Sequence, residues 1–399
     1  MEPTNNSHST VNALKKRFVE TFGGKESDSG ISVFFCPGRV NLIGEYTDFT
    51  GGLVFPFAID RGTLLVIRAS HNRLFRFAST NEDEIGQLTQ DETADNTESR
   101  WLKYPTAVIN QFHQAGFDID GVDVLFSGNI PSGAGLSSSA SIEVVTAVAL
   151  NTLFECSMTT LELVRLCQSA ENEFVGTKSG IMDQFAVAFG EENHAVYLDC
   201  QSLDYRRVPV RLNNFTFVIA HTGQTRENSE SAYNDRVSEC ELALQTLQAH
   251  LPIKHLGQVT PQQLMLHRHL FEAEPLIGQR LEHIVAENER VRQAVLALEV
   301  ADFETFGQLM DESHASLRDL FEVSSEPLDH MVRIASAQPT VLGSRLTGAG
   351  FGGCTINLLA ADTVETFKHN VREQYRQATA LKPEFYQVHP SSGARRLSA

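Results

Sequence analysis

The chain has 399 residues, with 32 lysines and arginines against 50 aspartates and glutamates and a formal net charge of −18 at pH 7. Such an acidic balance disfavours nucleic acid and anionic membrane surfaces as partners, so any phosphate-bearing ligand must be held by local groups. The length exceeds what one hydrophobic core usually serves, and it predicts two domains.

The six cysteines form no Cys-x-x-Cys pair and no histidine-spaced ligand set, which favours reduced thiols over disulfides or zinc. The first ten residues are polar, and no apolar run approaches the length of a membrane-spanning helix. We therefore expect a cytoplasmic protein that neither crosses a membrane nor is exported.

Strand-like segments come first in the chain and helical periodicity follows. Strands are predicted at 31–36, 53–59, 63–69, 74–79, 122–127, 205–210, 215–220 and 384–389. Helices are predicted at 161–174, 181–189, 229–251, 280–298 and 364–375. This order predicts an α+β protein with an N-terminal domain at 10–204 and a C-terminal domain at 205–399.

The first of three motifs is GRVNLIGEYTDFTGG, at residues 38–52, directly after the first predicted strand. It gathers Arg39, Glu45 and Asp48 between glycines. Loops at strand ends that concentrate charge in this way tend to carry chemistry. The motif therefore predicts part of a functional site.

The second motif is PSGAGLSSSAS, at residues 131–141, immediately before an apolar periodic segment. Glycines let backbone N–H groups converge on an anion, and the start of a helix adds positive character. The motif predicts a phosphate-binding loop at a helix N-terminus.

The third motif is LTGAGFGGCTINLL, at residues 346–359. Gly348, Gly350 and Gly353 match the dinucleotide-binding pattern, but a β-branched run follows where that pattern needs a helix. The chain also has no Gly-Lys-Ser or Gly-Lys-Thr ending typical of a Walker A loop. We interpret this segment as a loop whose backbone closely approaches another group.

In this order and spacing, the three motifs resemble the GHMP family of small-molecule kinases, and the first resembles its galactokinase branch. A fourth segment, AENEFVGTKSGIMDQF at 170–185, is similar to a galactokinase segment. The resemblance implies an N-terminal domain like ribosomal protein S5, a C-terminal ferredoxin-like α/β sandwich and an active site in the cleft between them. It also implies ATP-dependent phosphorylation of galactose at its anomeric hydroxyl, with Mg²⁺.

By the same resemblance, Arg39 stabilises the transition state and Asp183 takes the proton of the anomeric hydroxyl. Asp183 also suits the start of a helix, where a negative charge is favourable. A second hypothesis gives Asp183 an orienting role, with proton transfer late in a loose transition state.

The resemblance implies three groups of binding residues. Residues of the phosphate loop would hold ATP through the backbone: Ser132, Gly133, Ala134, Gly135, Leu136, Ser137, Ser138 and Ser139. The nucleotide would also contact Ser79, Trp101 and Tyr104. Ser139 and Glu171 supply hard oxygen ligands of the kind Mg²⁺ prefers.

Sugar binding is assigned by resemblance to Glu45, Tyr46, Thr47, Asp48, Gly180 and Tyr233. Galactokinases normally have a histidine where this chain has Tyr46. A phenol is larger but still donates and accepts hydrogen bonds, so we expect it to affect the preference among sugars that differ at C6.

Two alternative functions remain open from the sequence. One is a GHMP kinase for a different sugar altered at C6 or C2, and the other is a non-catalytic sensor that binds galactose and ATP. The uninterrupted Ser137-Ser138-Ser139-Ala140 argues against the sensor, whose relatives have a shortened phosphate loop. We expect a monomer whose partners are the small molecules galactose and ATP, without nucleic acid or membrane.

Overall fold

The computed structural model describes residues 8–28, 30–70, 72–89, 99–131, 133–224 and 229–397. The predicted ATP-binding residue Ser132 lies outside these ranges. Within them, no helix is long and apolar enough to span a bilayer.

The strands in chain order are β1 (Ser32–Asn41), β2 (Leu53–Val54), β3 (Pro56–Ala69), β4 (Leu74–Ser79), β5 (Gly86–Thr89), β6 (Val122–Gly128), β7 (His194–Asp199), β8 (Tyr205–Pro209), β9 (Phe215–His221), β10 (Val341–Thr347), β11 (Cys354–Ala360), β12 (Glu384–Val388) and β13 (Arg395–Arg396). The α-helices are α1 (His8–Phe22), α2 (Arg100–Gln114), α3 (Ser138–Leu153), α4 (Thr160–Ala170), α5 (Met182–Phe189), α6 (Ser229–Gln248), α7 (Pro261–His267), α8 (Pro275–Glu299), α9 (Phe303–Asp319), α10 (Glu326–Ser336) and α11 (Val364–Thr379). A π-helical turn, Glu171–Val175, follows α4, and short 3₁₀ turns occupy Leu256–Gln258, Arg268–Phe271 and Ala361–Thr363.

The first sheet has the order β13-β1-β3-β6-β4-β5 and is antiparallel except for the parallel pair of β4 and β6. Successive side chains of a strand point to opposite faces. Accordingly, Phe34 and Cys36 of β1 share a core cluster with α2, α3 and α4, whereas Val33 and Phe35 pack with α1. The sheet is therefore covered by helices on both faces.

The second sheet has the order β10-β11-β9-β12 and is antiparallel. Val218 on one face of β9 shares a core cluster with residues of α10 and α11. Phe217 and Ile219 on the other face share a core cluster with α8, α9 and residues of β1 and β3. This cluster joins the two halves of the chain and fixes the β1 end of the first sheet against the second sheet. A smaller third sheet has the order β2-β7-β8.

The last strand returns to the first sheet. β13 pairs with β1 at Phe34 to Arg396 and at Phe35 to Arg395, and an isolated bridge joins Ile59 to Pro390. The division of the chain at residue 204 stays a prediction.

Candidate active site

The phosphate loop leads from the end of β6 into the N-terminus of α3. Gly133, Gly135 and Ser137 adopt positive φ angles of 69°, 73° and 59°, a backbone conformation that glycine favours. The loop lies directly on β1: the Arg39 N–H donates to the Leu136 carbonyl at 3.1 Å. A side chain at Gly38 would place its Cβ 2.5 Å from the same carbonyl oxygen, so the close approach requires glycine there.

Arg39 and Asp183 form the centre of the site. The Arg39 Nε and Nη2 donate to the two Asp183 carboxylate oxygens, each at 2.8 Å, and Nη1 donates to the Gly135 carbonyl at 2.7 Å. The Ser137 hydroxyl donates to Asp183 Oδ2 at 2.5 Å. The arginine side chain is 5% exposed and the aspartate 27%, so the carboxylate is the more accessible member of the pair. Both predicted catalytic residues therefore meet at the phosphate loop.

Ser139 and Glu171 also meet. The Ser139 hydroxyl lies 3.3 Å from Glu171 Oε1, while Glu171 Oε2 accepts from the Ser179 hydroxyl at 2.9 Å. Burial raises the pKa of Glu171, and the charge of nearby Asp183 adds to the rise. A buried carboxylate beside a second one is a poor place for negative charge unless a cation balances it. The oxygen donors and this uncompensated charge fit a hard divalent ion such as Mg²⁺.

Two residues that the sequence motifs did not single out lie behind this pair. Gln184, the residue after Asp183, donates from Nε2 to Glu171 at 2.7 Å and to Glu143 at 3.0 Å. Gln184 and Glu143 are both fully buried. The sequence of the segment GIMDQF does not indicate a role for Gln184, because the carboxylates that it bonds come from distant positions in the chain.

The sugar-side residues Asp48, Gly180 and Tyr233 are brought together around Asp183. A Cβ on Gly180 would lie 2.2 Å from Asp48 Oδ2, so glycine is needed for the carboxylate to sit there. Burial raises the pKa of Asp48 to about 7, with a further contribution from the charge of Asp183. Burial and the charge of Asp48 likewise raise the pKa of Tyr233 well above its ordinary value. These residues form a compact acidic cluster beside the Arg39 pair.

Tyr46 lies beside these residues in an aromatic cluster. Its ring centroid is 5.2 Å from that of Tyr233 and 4.7 Å from that of Phe321, with Phe49 in edge contact at 6.3 Å. Its hydroxyl donates to the Ala349 carbonyl at 2.5 Å, in the glycine-rich loop between β10 and β11. Tyr46 therefore ties the first motif to the third.

The Glu45 carboxylate also links the first motif to the third. Its Oε1 accepts from the Gly348 N–H at 2.8 Å and from the Thr347 hydroxyl at 3.3 Å, and it lies 3.2 Å from Arg345 Nη2. The Glu45 and Arg345 side chains are 2% and 0% exposed. The third motif is therefore a site of close backbone approach, as the sequence predicted, and one group it approaches is the Glu45 carboxylate.

Thr47 closes the loop of the first motif. Its buried hydroxyl contacts the Gly44 carbonyl at 3.0 Å and the Leu53 carbonyl at 2.6 Å. From outside the loop, Glu287 of α8 accepts from the Gly44 N–H at 2.8 Å. Burial opposes ionisation of Glu287, yet the charges of Arg290, His283 and Arg345 lower its pKa to about 2. A charged carboxylate of the second half of the chain thus holds the loop of the first motif.

The predicted nucleotide contacts lie near the strand that enters the phosphate loop. Ser79 ends β4 and pairs with Phe126 of β6. Trp101 packs edge-on against Phe126 with ring centroids 6.0 Å apart, and its buried indole N–H has no hydrogen-bond partner among the described residues. Tyr104 lies three residues further along α2 and so on the same side of that helix.

Family models match three parts of the chain. The galactokinase galactose-binding signature matches residues 16–69, the GHMP kinase N-terminal domain matches 103–191 and the GHMP kinase C-terminal domain matches 294–377. These ranges contain the first, second and third motifs, respectively.

Curated relatives match over nearly the whole length. The galactokinase of Fusobacterium nucleatum is 44% identical over 388 residues, covering 96% of this chain and 99% of that protein. The galactokinase of Bacillus subtilis is 42% identical over 387 residues, covering 96% and 98%.

Solved structures agree. The crystal structure of Lactococcus lactis galactokinase complexed with galactose matches with a TM-score of 0.92 and 38% identity, covering 96% of this chain and 99% of that one. A mevalonate kinase structure, at 20% identity and a TM-score of 0.63, covers 90% and 98% and bears on the fold alone. The predicted GHMP kinase fold is thereby confirmed. With such matches along almost all of its length, the chain belongs to the galactokinase branch of the GHMP kinase family.

Proposed function

We propose that the chain is an ATP-dependent galactokinase that transfers the γ-phosphoryl group of ATP to the anomeric hydroxyl of D-galactose, giving galactose 1-phosphate and ADP. The observation that carries the proposal is the Asp183 carboxylate, held by Arg39 and Ser137 between the phosphate loop and the acidic cluster around Asp48. A phosphoryl donor on the loop and a sugar at this cluster would both border the carboxylate.

In the reaction, a bond forms between the anomeric oxygen and the γ-phosphorus while the bond from that phosphorus to the β,γ-bridging oxygen breaks. The Asp183 carboxylate orients the hydroxyl and accepts its proton. Arg39 keeps the carboxylate in place and carries positive charge towards the transferred phosphoryl group, where negative charge is spread over the equatorial oxygens. The N–H groups at the start of α3 and in the phosphate loop cradle the donor phosphates.

Ser139 and Glu171 would hold Mg²⁺, which when bound neutralises charge on the β- and γ-phosphates and orients them. The two side chains come from the first turn of α3 and from the π-helical turn, and their oxygens approach within 3.3 Å. Glu171 thereby provides negative charge that a divalent ion needs, beside the hydroxyl groups of Ser139 and Ser179.

Galactose recognition is proposed to rest on Asp48, with Gly180 and Tyr233 around it. A carboxylate accepts hydrogen bonds from two neighbouring hydroxyl groups, and a sugar with one of them inverted would leave a buried acceptor unpaired. Because Asp48 already lies beside the charges of Asp183 and Glu45, we expect a neutral polyol to be accepted and sugar acids to be rejected.

The proposal is tested by ADP release from Mg-ATP with galactose, 2-deoxygalactose, galactosamine, 6-deoxygalactose, glucose, galacturonate, mevalonate and homoserine, with products identified by phosphorus NMR. The expected result is phosphorylation of galactose at C1, with glucose at least about 100-fold worse in kcat/KM. An Arg39→Met variant serves as the control for contaminating kinases. Binding of galactose and ATP without turnover would instead indicate a sensor, and faster turnover of a sugar altered at C6 or C2 would assign a different substrate.

We further propose that the protein acts in the cytoplasm, where ATP is available and its six free cysteines stay reduced. We also propose that it works as a monomer. Size-exclusion chromatography with light scattering at micromolar concentration tests the second statement.

A further inference from the structure

Gln184 connects the two halves of the proposed reaction centre. It follows Asp183 in the first turn of α5, and its side chain is fully buried. Its amide nitrogen carries two protons, and the two hydrogen bonds it donates go to Glu171 at 2.7 Å and Glu143 at 3.0 Å. One side chain therefore joins α5, α3 and the π-helical turn.

The two oxygens of Glu171 have different surroundings. Oε2 accepts from Gln184 and from the Ser179 hydroxyl, whereas Oε1 accepts from the Ser139 hydroxyl of the phosphate loop. Two donors from the protein thus fix one oxygen and direct the other towards Ser139. Glu171 opens a π-helical turn, a geometry that is rare and often marks functional positions.

A neutral donor suits this position better than a charged one. A lysine or arginine at 184 would neutralise Glu171 and compete with a divalent cation, whereas an amide orients the carboxylate and leaves its charge available. Glu143 is fully buried on the far side of the amide and accepts the second hydrogen bond that the Gln184 nitrogen donates. It fixes the rotamer of Gln184.

We propose that Gln184 is a positioning residue that sets the orientation of Glu171 for the metal–nucleotide complex and couples it to the helix turn that carries Asp183, with Glu143 holding the amide from behind. This inference rests on the proposed function, because it takes Glu171 as a ligand of the metal.

The test replaces Gln184 with Met, which has a similar length but no donor, and measures binding rather than turnover. Mn²⁺ affinity in the presence of a non-hydrolysable ATP analogue is followed by electron paramagnetic resonance, and galactose affinity without nucleotide by calorimetry. We expect Mn²⁺ binding to weaken by about 10- to 100-fold, as for other partners of metal ligands, with galactose affinity changed less than about threefold. In turnover, the KM for Mg-ATP should rise while the KM for galactose stays close to wild type.

The chain offers a matched control. Gln111 donates from Nε2 to Glu173 of the same π-helical turn at 2.9 Å. Gln111→Met therefore removes a similar bond from the same turn without touching Glu171, and we expect Mn²⁺ affinity to stay within about twofold. Thermal unfolding of every variant reports whether it folds.

If Gln184→Met does not fold, Ser179→Ala removes the other donor to Glu171 Oε2 at a partly exposed position and is expected to weaken Mn²⁺ binding several-fold. Unchanged Mn²⁺ affinity in a folded Gln184→Met variant, or an equal loss in Gln111→Met, would overturn the inference about Gln184 but not the proposed function. Unchanged Mn²⁺ affinity in Glu171→Gln would overturn the metal assignment itself, and the inference with it.

Discussion

Arg39 and Asp183 form a two-pronged ion pair in which the arginine is almost fully buried and the aspartate is partly open. The remaining guanidinium nitrogen, Nη1, donates a hydrogen bond to the Gly135 carbonyl of the phosphate loop. One arginine therefore fixes the distance between the acceptor-side carboxylate and the loop proposed to hold the donor.

Replacing Arg39 with Met should lower kcat by about 10²- to 10³-fold, because a group that stabilises transition-state charge is lost. The KM for galactose should change much less. Steady-state kinetics with both substrates varied provides the measurement. A kcat near that of wild type would show that Arg39 serves only to hold the loop.

The Asp183→Asn variant keeps an acceptor oxygen but has no charge to take a proton. We expect kcat to fall by about 10²- to 10⁴-fold, the range for loss of a positioned general base. Galactose affinity, measured separately by calorimetry, should remain. If the variant instead retained a tenth or more of wild-type turnover, orientation of the hydroxyl would be the main role of Asp183.

Asp48 should make galactose binding depend on pH. Its pKa is raised from 3.8 to about 7, first by burial and then by Asp183 and Glu45. The ionised carboxylate is the form that accepts hydrogen bonds from two sugar hydroxyl groups. Galactose affinity should therefore decrease as the pH falls below about 7, by at most about tenfold per unit, and Asp48→Asn should remove this dependence.

The same raised pKa has a consequence for the ligand-free protein. Since the folded state binds the proton of Asp48 more tightly than the unfolded chain does, this group favours folding at low pH. Its contribution is lost as the pH rises from about 4 to about 7. Thermal unfolding of the wild type and of Asp48→Asn across this range should differ in slope with that sign. Parallel curves would contradict the assignment.

Tyr46 should influence discrimination at C6 of the sugar. Its hydroxyl proton is used by the Ala349 carbonyl and its ring is held between Tyr233 and Phe321, so it is a fixed wall rather than a free donor. Tyr46→His would open space and supply an unengaged donor. We expect the kcat/KM ratio of galactose to 6-deoxygalactose to rise by about tenfold, and an unchanged ratio would exclude contact between position 46 and the C6 end.

Arg345 should be important for stability. Its ion pair with Glu45 is fully buried, and its Nη1 also donates to the Asn41 and Leu42 carbonyls at 3.0 Å each. Arg345→Met would leave Glu45 as an uncompensated buried charge, which typically costs about 3 to 5 kcal/mol. Differential scanning fluorimetry should show a marked fall in the unfolding temperature. The double variant with Glu45→Gln should recover part of it, because the stranded charge is then gone.

The loops of the site were predictable because their residues need special local conformations. Glycines at 133, 135 and 348 occupy positive φ angles, and Gly38 and Gly180 allow contacts that a Cβ would block. Arg39 and Asp183 were assigned by resemblance and not from spacing, since they are 144 positions apart in the chain. Their assigned roles stay predictions.

Other features could not be predicted from local sequence. Strands expected separately at 53–59 and 63–69 prove to be the short β2 and one long β3, which passes through the exposed Asp60 opposite a register shift between Pro37 and Arg39. The polar Asp60-Arg61 interrupts the apolar run, but β3 pairs with β1 on both sides of it, at Ala58 and at Gly62. The Gln184 network was missed because an amide that bridges two carboxylates is defined only once α3, α5 and the π-helical turn have packed together.

The pairing of β13 with β1 also determines when the first sheet can be completed during synthesis of the chain. Arg39 lies on β1, and on the edge of that strand away from β3 the residues Val33 to Phe35 bond to Arg395, Arg396 and the Leu397 N–H. Until residues 395–397 are synthesised, this stretch of the edge presents unpaired N–H and C=O groups that another chain can bind. The first sheet is therefore completed after the second, and a chain truncated before residue 395 would keep all of its motifs while exposing a strand edge prone to aggregation.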